Sequence, residues 1–385
     1  MTHELCVAGG GIGGLAASVA VSRLDGWHVQ VYERTPVFSE VGAGVQLGPN
    51  VTRILHKWGL ADELKAVAAF PDALHARSLS TGEVLGTLPL AMGGYMQSCY
   101  GAPYVTVHRA DLHRILLKAA LRQGVQLHTD AFVKGFQQQT QELSVQLIAN
   151  GIERQAHADA LVIADGVWSE LRQQVLKDGA PDFSGETAYR AMLRQRDLPQ
   201  HLRSQDVTLW MGPQTHVVAY PVRAGEWLNV VCLVHESHEN LQMAVQGACT
   251  PLMDLLQMVP EWTHWPLYGR APMQDAHEHA HGNVALLGDA AHPMLPYLAQ
   301  GAGMAIEDSD CLGIHLGELD TSGIAGSMSN YAQARWRRNA RVQTHAKRNS
   351  RIFHATGPVQ WGRDASLRLF GAKLMDMPWL YGKGL

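Results

Sequence analysis

At 385 residues the chain exceeds the size over which one hydrophobic core usually keeps growing, so two packed domains with room for a large cofactor are expected. Hydrophobic residues make up 46% and charged residues 17%, which excludes long disorder. A formal net charge of -4 provides no global attraction to nucleic acid or an anionic membrane, and a small-molecule partner fits better.

Leu5 to Ala8 is an apolar run that predicts a strand, closed by Gly9-Gly10-Gly11-Ile12-Gly13-Gly14. Leu15 to Leu24 reads as a helix of small residues, and His28 to Tyr32 alternates like a second strand. Together they form the βαβ unit expected at the start of a nucleotide-binding sheet. Leu5 to Val21 is apolar enough to suggest a signal peptide, but five glycines interrupt it and no basic segment precedes it. No other apolar run approaches the ~18 residues that span a bilayer. Cys6, Cys99, Cys232, Cys249 and Cys311 are scattered and form no Cys-x-x-Cys, which points to reduced thiols and a cytoplasmic protein.

Further along, Ala160 to Ala164 and Asn283 to Leu287 repeat the apolar strand pattern, as if one sheet were interrupted by long insertions. Between Asp182 and Arg270 the texture changes to alternating strands at Val207–Met211, His216–Val222 and Leu228–Val234. The insert from about Pro71 to Val107 has the same strand-and-turn character and is expected to complete that second sheet. After Tyr331 the chain reads as helical. Arg335 to Arg351 holds seven basic residues and no acid, with too few apolar positions for membrane insertion, so a solvated, packed helix is expected. The tail beyond it shows no clear period. His277-Glu-His279-Ala-His281 would align three histidines if extended, but a polar loop is the better reading and no metal is expected.

Three motifs carry chemistry. In Gly9-x-Gly11-x-x-Gly14 the glycines allow a tight turn, close backbone approach to a pyrophosphate and close helix packing, and Glu33 ends the second strand where an acid binds ribose hydroxyls. Alone, this pattern serves flavin and nicotinamide dinucleotides alike. In the segment from Ala160 to Arg172, a buried strand delivers Asp165 and Gly166 into a turn before a helix, and Asp165 suits either a ligand contact or a helix N-cap. In the segment from Val284 to Gly303, a strand ends in Gly288-Asp289, and a loop marked by Pro293 and Pro296 leads through Gln300-Gly301-Ala302-Gly303 into a helix.

In this order and at these separations the three segments resemble the class A flavoprotein aromatic hydroxylases, single-component enzymes with the fold of 4-hydroxybenzoate hydroxylase. The resemblance covers most of the chain. It implies an α/β fold: a Rossmann-type FAD-binding domain from 1–70, 107–178 and 271–330, a β-sheet substrate domain from 71–106 and 179–270, and a C-terminal helical segment, 331–385. It also implies FAD contacts from Gly9, Gly11, Gly13, Gly14, Glu33, Arg34, Gln46, Arg109, Asp165, Gly166, Asp289, Pro296, Gly301, Ala302 and Gly303. Read without the family, Arg109 is equally a surface charge in a first helical turn. The segments Gly42–Asn50, Trp265–Tyr268 and Tyr297–Gly301 look most like salicylate and 3-hydroxybenzoate hydroxylases. 6-Hydroxynicotinate hydroxylases are also similar, with Gln46 standing where their histidine is expected.

In Thr215-His216-Val-Val-Ala-Tyr220, strand alternation puts His216, Val218 and Tyr220 on one face, with His216 and Tyr220 roughly 13 Å apart. By resemblance His216 takes the phenol proton, Tyr220 hydrogen-bonds the substrate and Gln300 assists from the flavin side. A histidine near its intrinsic pKa of about 6.5 suits general-base work. An ordinary sheet histidine and a packed tyrosine remain the alternative. No arginine stands out as a carboxylate clamp, Arg190 being one option. The expected activity is hydroxylation of a small phenolic acid with NAD(P)H and O2 through a flavin C4a-hydroperoxide, by a monomer or homodimer. Two rivals stand beside it: a flavin dehydrogenase or oxidase that inserts no oxygen, and a non-catalytic binding protein of the same fold.

Overall fold

Residues 2–38, 43–139, 143–238, 240–319 and 321–382 are described by the computed structural model, which divides into two compact units. The first comprises Met1–Val41, Leu112–Asp182 and Tyr268–His345. Its sheet runs in the order Ala280–His281, Val284–Leu286, Ala160–Ile163, His3–Ala8, Trp27–Tyr32 and Gln126–His128. All neighbours are parallel except the first pair, in registers such as Leu5 with Ala160 and Leu161 with Val284. The three apolar runs therefore do form one sheet. They read as unbroken hydrophobic runs because both faces are covered, as parallel sheets require. On one side Cys6, Leu161 and Ile163 pack against Val133, Val145 and Leu147 of the antiparallel strands Ala131–Gln138 and Leu143–Ala149. The helices Ile12–Val21 and Gly301–Gly317 lie close to each other: a Cβ added at Gly313 would sit 3.1 Å from Ala20 Cβ, and one at Gly13 3.5 Å from Ala305 Cβ.

The second unit comprises Gly42–Asp111, Phe183–Leu267 and Ala346–Leu385. Its seven-stranded sheet runs Thr263–Gly269, Asp182–Arg194, Trp227–His235, Thr215–Val222, Val207–Gly212, Ala73–Ser78 and Val84–Pro89. The insert before residue 107 completes this sheet with two strands. Its end, Val105–His108, pairs instead with Gly44–Leu47 in a separate ribbon. Alternation gives the sheet two faces. Val217, Ala219, Val230 and Cys232 bury against Leu252, Leu255 and Leu256 of the helix Thr250–Gln257 and its flank. His216, Val218 and Tyr220 take the other face.

These units differ from the segment boundaries expected from sequence. Residues 43–70 group with the seven-stranded sheet because Gly44–Leu47 pairs with Val105–His108, a contact with no local signature. The C-terminal segment is shared between the units, its helix Gly323–Phe353 contributing residues up to His345 to the first. The tail expected to lack a period forms the helices Gly357–Met375 and Pro378–Tyr381.

Candidate active site

The glycine turn is built for close approach. Gly9 has φ +104°, and a Cβ there would lie 2.5 Å from the carbonyl oxygen of Ala164; one at Gly14 would collide with the carbonyl of Gly9. Gly11 caps the helix Ile12–Val21 with no side-chain hydrogen bond, so its first-turn N–H groups stay available to an anion. Glu33 accepts the Gly10 N–H at 2.7 Å and the Thr35 N–H at 2.9 Å, and His113 Nε2 donates to the Gly10 carbonyl at 2.8 Å. The role of His113 in fixing the turn had no sequence signature. A cavity lined by Gly9, Tyr32, Glu33, Arg34, Asp165 and Trp168 adjoins this turn.

Asp165 is half-buried, its Oδ1 has no hydrogen-bond partner among the described residues, and burial raises its pKa to about 6. It is not the N-cap. Ser169 fills that position and accepts the Arg172 N–H at 2.9 Å. Gly166 beside it has φ +89°. The glycine cradle, the uncapped helix and an acid with an unmatched buried oxygen fit the dinucleotide that the motifs call for.

Arg172 joins the second motif to the third. Its buried guanidinium donates to the carbonyls of Ala290 (2.8 Å) and Ala291, holding the turn Gly288–Ala290 that presents exposed Asp289. A Cβ at Gly301 would lie 4.0 Å from Asp289 Oδ1, so this acid sits at the start of the helix Gly301–Gly317. Pro296 opens a short 3-10 turn, Ala299 takes a left-handed conformation (φ +51°), and buried Gln300 caps the helix without a side-chain cap bond. Gly301, Ala302 and Gly303 form its first turn. Deeper in the same helix, Asp308 and Glu307 receive Arg335 at 2.7 and 2.9 Å, and His292 contacts Asp308 at 2.5 Å. The basic segment forms the solvated, packed helix expected of it: Arg337, Arg341, Lys347, Arg348 and Arg351 are exposed. Arg335, on its packed side, is fully buried, its charge matched by these two acids.

Gln46, Arg109, His216 and Tyr220 belong to the second unit. Across its sheet, Arg190 pairs with Val231 and Val231 with Val218; one row on, Met192 pairs with Asn229 and Asn229 with Tyr220; on the other side, Ala188 pairs with Leu233 and Leu233 with His216. Paired residues share a face, so His216, Arg190 and Tyr220 border a floor of Val218 and Val231. Val218 is the only residue of its strand that is not fully buried. Arg190 is half-buried and stacked 5.2 Å from the Trp265 ring. It has no carboxylate partner among the described residues, and its Nε is buried without a hydrogen bond. Burial lowers its pKa, and the nearby charge of Arg109 lowers it further. Arg109 itself opens the helix Arg109–Arg122, its N–H bonded to the Ala43 carbonyl at 2.9 Å.

Gln46 bridges two phenols. Its Oε1 accepts the Tyr104 hydroxyl at 2.6 Å, and on its other side its side chain favours the ionised form of Tyr220 against the larger, opposing effect of burial. Asn229 Oδ1 accepts the Gly44 N–H at 2.9 Å, tying the strand Gly44–Leu47 to the sheet. Gly42, at the edge of the motif noted from sequence, lies outside the described residues. The expectation that His216 titrates near 6.5 needs correction: burial, and then the neighbouring His354, push it well below that value. His216 Nδ1 lies 2.9 Å from His354 Nε2.

Of the three histidines near residue 279, His277 lies in a 3-10 turn and His279 is buried against His292, with ring centroids 5.8 Å apart. Among the described residues no group of His, Cys, Asp and Glu is placed to hold a metal ion. Nor is any described helix long and apolar enough to cross a membrane.

A family model for the FAD binding domain matches residues 2–346. The chain is 34% identical to 3-hydroxybenzoate 6-hydroxylase 1 of Aquipseudomonas alcaligenes, over 100% of this chain and 98% of that protein. It is 35% identical to the 3-amino-4-hydroxybenzoate 2-monooxygenase PtnB3 of Streptomyces platensis, covering 99% and 98%, and 32% identical to the 6-hydroxynicotinate 3-monooxygenase of Pseudomonas fluorescens, covering 97% and 96%. Among solved structures, a salicylate hydroxylase substrate complex superposes with TM-score 0.81 at 22% identity, over 99% of this chain and 95% of that one.

Proposed function

The chain belongs to the FAD-binding family of flavoprotein aromatic hydroxylases, and we propose that it hydroxylates a small phenolic acid seated on the sheet face bordered by His216, Arg190 and Tyr220. It is an FAD-dependent monooxygenase that takes electrons from NAD(P)H. When bound, the flavin supplies the chemistry of O2 activation, with one oxygen atom entering the ring and the other leaving as water. On this reading Gly9, Gly11, Gly13, Gly14, Glu33 and Arg34 hold the ADP half. Asp165, Gly166, Asp289, Pro296 and Gly301 to Gly303 hold the remainder.

The observation that carries the substrate reading is Arg190: a half-buried cation with no acid beside it among the described residues, on the face where Val218 alone in its strand remains accessible. An isolated buried charge is costly, and a substrate carboxylate offsets that cost. The three relatives named above act on aromatic acids that also bear a ring hydroxyl, as their names state. Arg190 stands two strands from His216, roughly 10 Å across the sheet. With the ring on Val218 and Val231 and its carboxylate on Arg190, the phenol is directed to His216. Loss of the phenol proton to His216 raises electron density at the ortho and para carbons, which accept an electrophilic oxygen atom. Tyr220, packed against Gly44, hydrogen-bonds the substrate. A reducing, cytoplasmic setting accords with five free cysteines, four of them buried.

The test is NAD(P)H oxidation by the yellow purified protein with 3-hydroxybenzoate, salicylate and 6-hydroxynicotinate. Stimulation by one of them, with a product heavier by one oxygen, is expected. A product without added oxygen would instead mean a dehydrogenase or oxidase, and no stimulation by any hydroxylated aromatic acid would overturn the substrate reading.

A further inference from the structure

We infer that Glu186 and His354 form a proton relay behind His216, selecting the nitrogen of His216 that meets the substrate and receiving the proton it takes. The inference rests on the reading of His216 as the base. His216 Nδ1 and His354 Nε2 are 2.9 Å apart, and His354 Nδ1 lies 3.6 Å from Glu186 Oε1. All three side chains are buried. Glu186 lies four residues before Arg190 on the strand Asp182–Arg194, hence on the same face as His216. Its Oε1 also accepts the Ser350 hydroxyl at 3.0 Å, from the helix that carries His354 toward the sheet.

At 3.6 Å the His354 Nδ1–Glu186 Oε1 pair is in ion-pair range, short of a formed hydrogen bond. A carboxylate there only accepts, so the relay has the His354 Nδ1–H facing Glu186 and its Nε2 presenting a lone pair. That lone pair takes the Nδ1–H of His216, leaving the His216 Nε2 lone pair as the basic site. A second-rank carboxylate sets a histidine tautomer in the same way in hydrolytic triads. The proton balance closes. His216 Nε2 takes the phenol proton and its Nδ1 proton passes to His354 Nε2; the His354 Nδ1 proton passes to Glu186 as the pair closes from 3.6 Å to hydrogen-bond distance. The products are a phenolate, two neutral imidazoles and a carboxylic acid.

Neutrality is what the surroundings demand. Burial holds His354 at about 4, and His235, Arg363 and His238 all face it with positive or potentially positive charge. Neither imidazole is suited to keep a proton, and Glu186 is the acid in contact that can accept one. His354 and Glu186 are thus positioning residues for the base.

The test measures kcat and KM of His354→Leu and Glu186→Gln with a phenolic acid and with a ring-fluorinated analogue of lower phenol pKa, between pH 6 and pH 10. The relay predicts kcat reduced on the order of 10- to 100-fold at pH 7 with KM little changed. The deficit shrinks as pH approaches the phenol pKa, and with the more acidic analogue, because both supply phenolate without a base. A deficit uniform in pH and indifferent to phenol acidity, or unimpaired kcat in the near-isosteric Glu186→Gln protein, would overturn it. His216→Ala, measured alongside, separates the two claims: full activity there removes the base reading itself, whereas loss there with unimpaired relay variants removes only the relay.

Discussion

The ring of Tyr220 fills the space that a side chain at Gly44 would need: a Cβ on Gly44 would lie 2.4 Å from Tyr220 Cε2 and 2.9 Å from its hydroxyl oxygen. The strand Gly44–Leu47 thereby presses on the phenol that borders the substrate face. Gly44→Ala is expected to displace Tyr220 and raise KM for the aromatic acid by roughly 10-fold, the worth of about one hydrogen bond. Steady-state kinetics beside Tyr220→Phe check this: both variants should lose affinity, and a Gly44→Ala protein with unchanged KM would separate the strand from the site.

Arg190→Met is expected to raise KM for a phenolic acid by roughly 10- to 100-fold, since a charge-assisted hydrogen bond contributes about 1.5–3 kcal/mol. A phenol lacking the carboxylate should bind both proteins alike. Because Arg190 has no acid beside it among the described residues, the same change should leave thermal stability unchanged or raised. A large fall in melting temperature with no change in KM would make the arginine structural.

Arg335→Leu tests the buried ion network beneath the helix Gly301–Gly317. Burial opposes ionisation of Asp308, but His292 and Arg335 hold its carboxyl well below the usual range. Removing the arginine leaves Asp308 and Glu307 without that charge in the interior, which is expected to cost about 3–5 kcal/mol in urea unfolding. A double variant, Arg335→Leu with Asp308→Asn, should recover part of the loss. Equal stability of wild type and single variant would show that the acids find other partners.

Acidification should destabilise the fold before any carboxylate in the ion network is protonated. Burial lowers His279 to about 3 and His354 to about 4, and holds His216 well below its ordinary value. The unfolded chain protonates these histidines near pH 6.5 while the folded chain does not, so stability falls as pH drops below about 6.5, by roughly 2 kcal/mol for each at pH 5. Asp165, raised to about 6 by burial, works the other way and offsets part of the loss between pH 6 and pH 4. The urea midpoint should therefore be lower at pH 5 than at pH 7; an unchanged or higher midpoint would contradict the buried neutral histidines.

What the sequence alone determined lies where chemistry and backbone geometry are local. Gly9 and Gly14 announce a tight turn because only glycine tolerates that approach. Asp165 and Asp289 follow buried strands that end at one edge of one sheet, and the face shared by His216 and Tyr220 follows from a period of two. The tertiary structure decided what surrounds those groups. His354 stands 138 positions from His216, and Arg190 reaches the face of His216 only through the intervening strand Trp227–His235. Gln46 meets Tyr104 across 58 positions, and Arg335, one basic residue of a helix read as solvated and packed, is the one buried among acids of another helix. Local pattern records which side of a strand or helix a residue occupies. It carries no term for which distant chain packs there, and so cannot say whether a histidine is kept neutral, a tyrosine held in place or an arginine left without an acid.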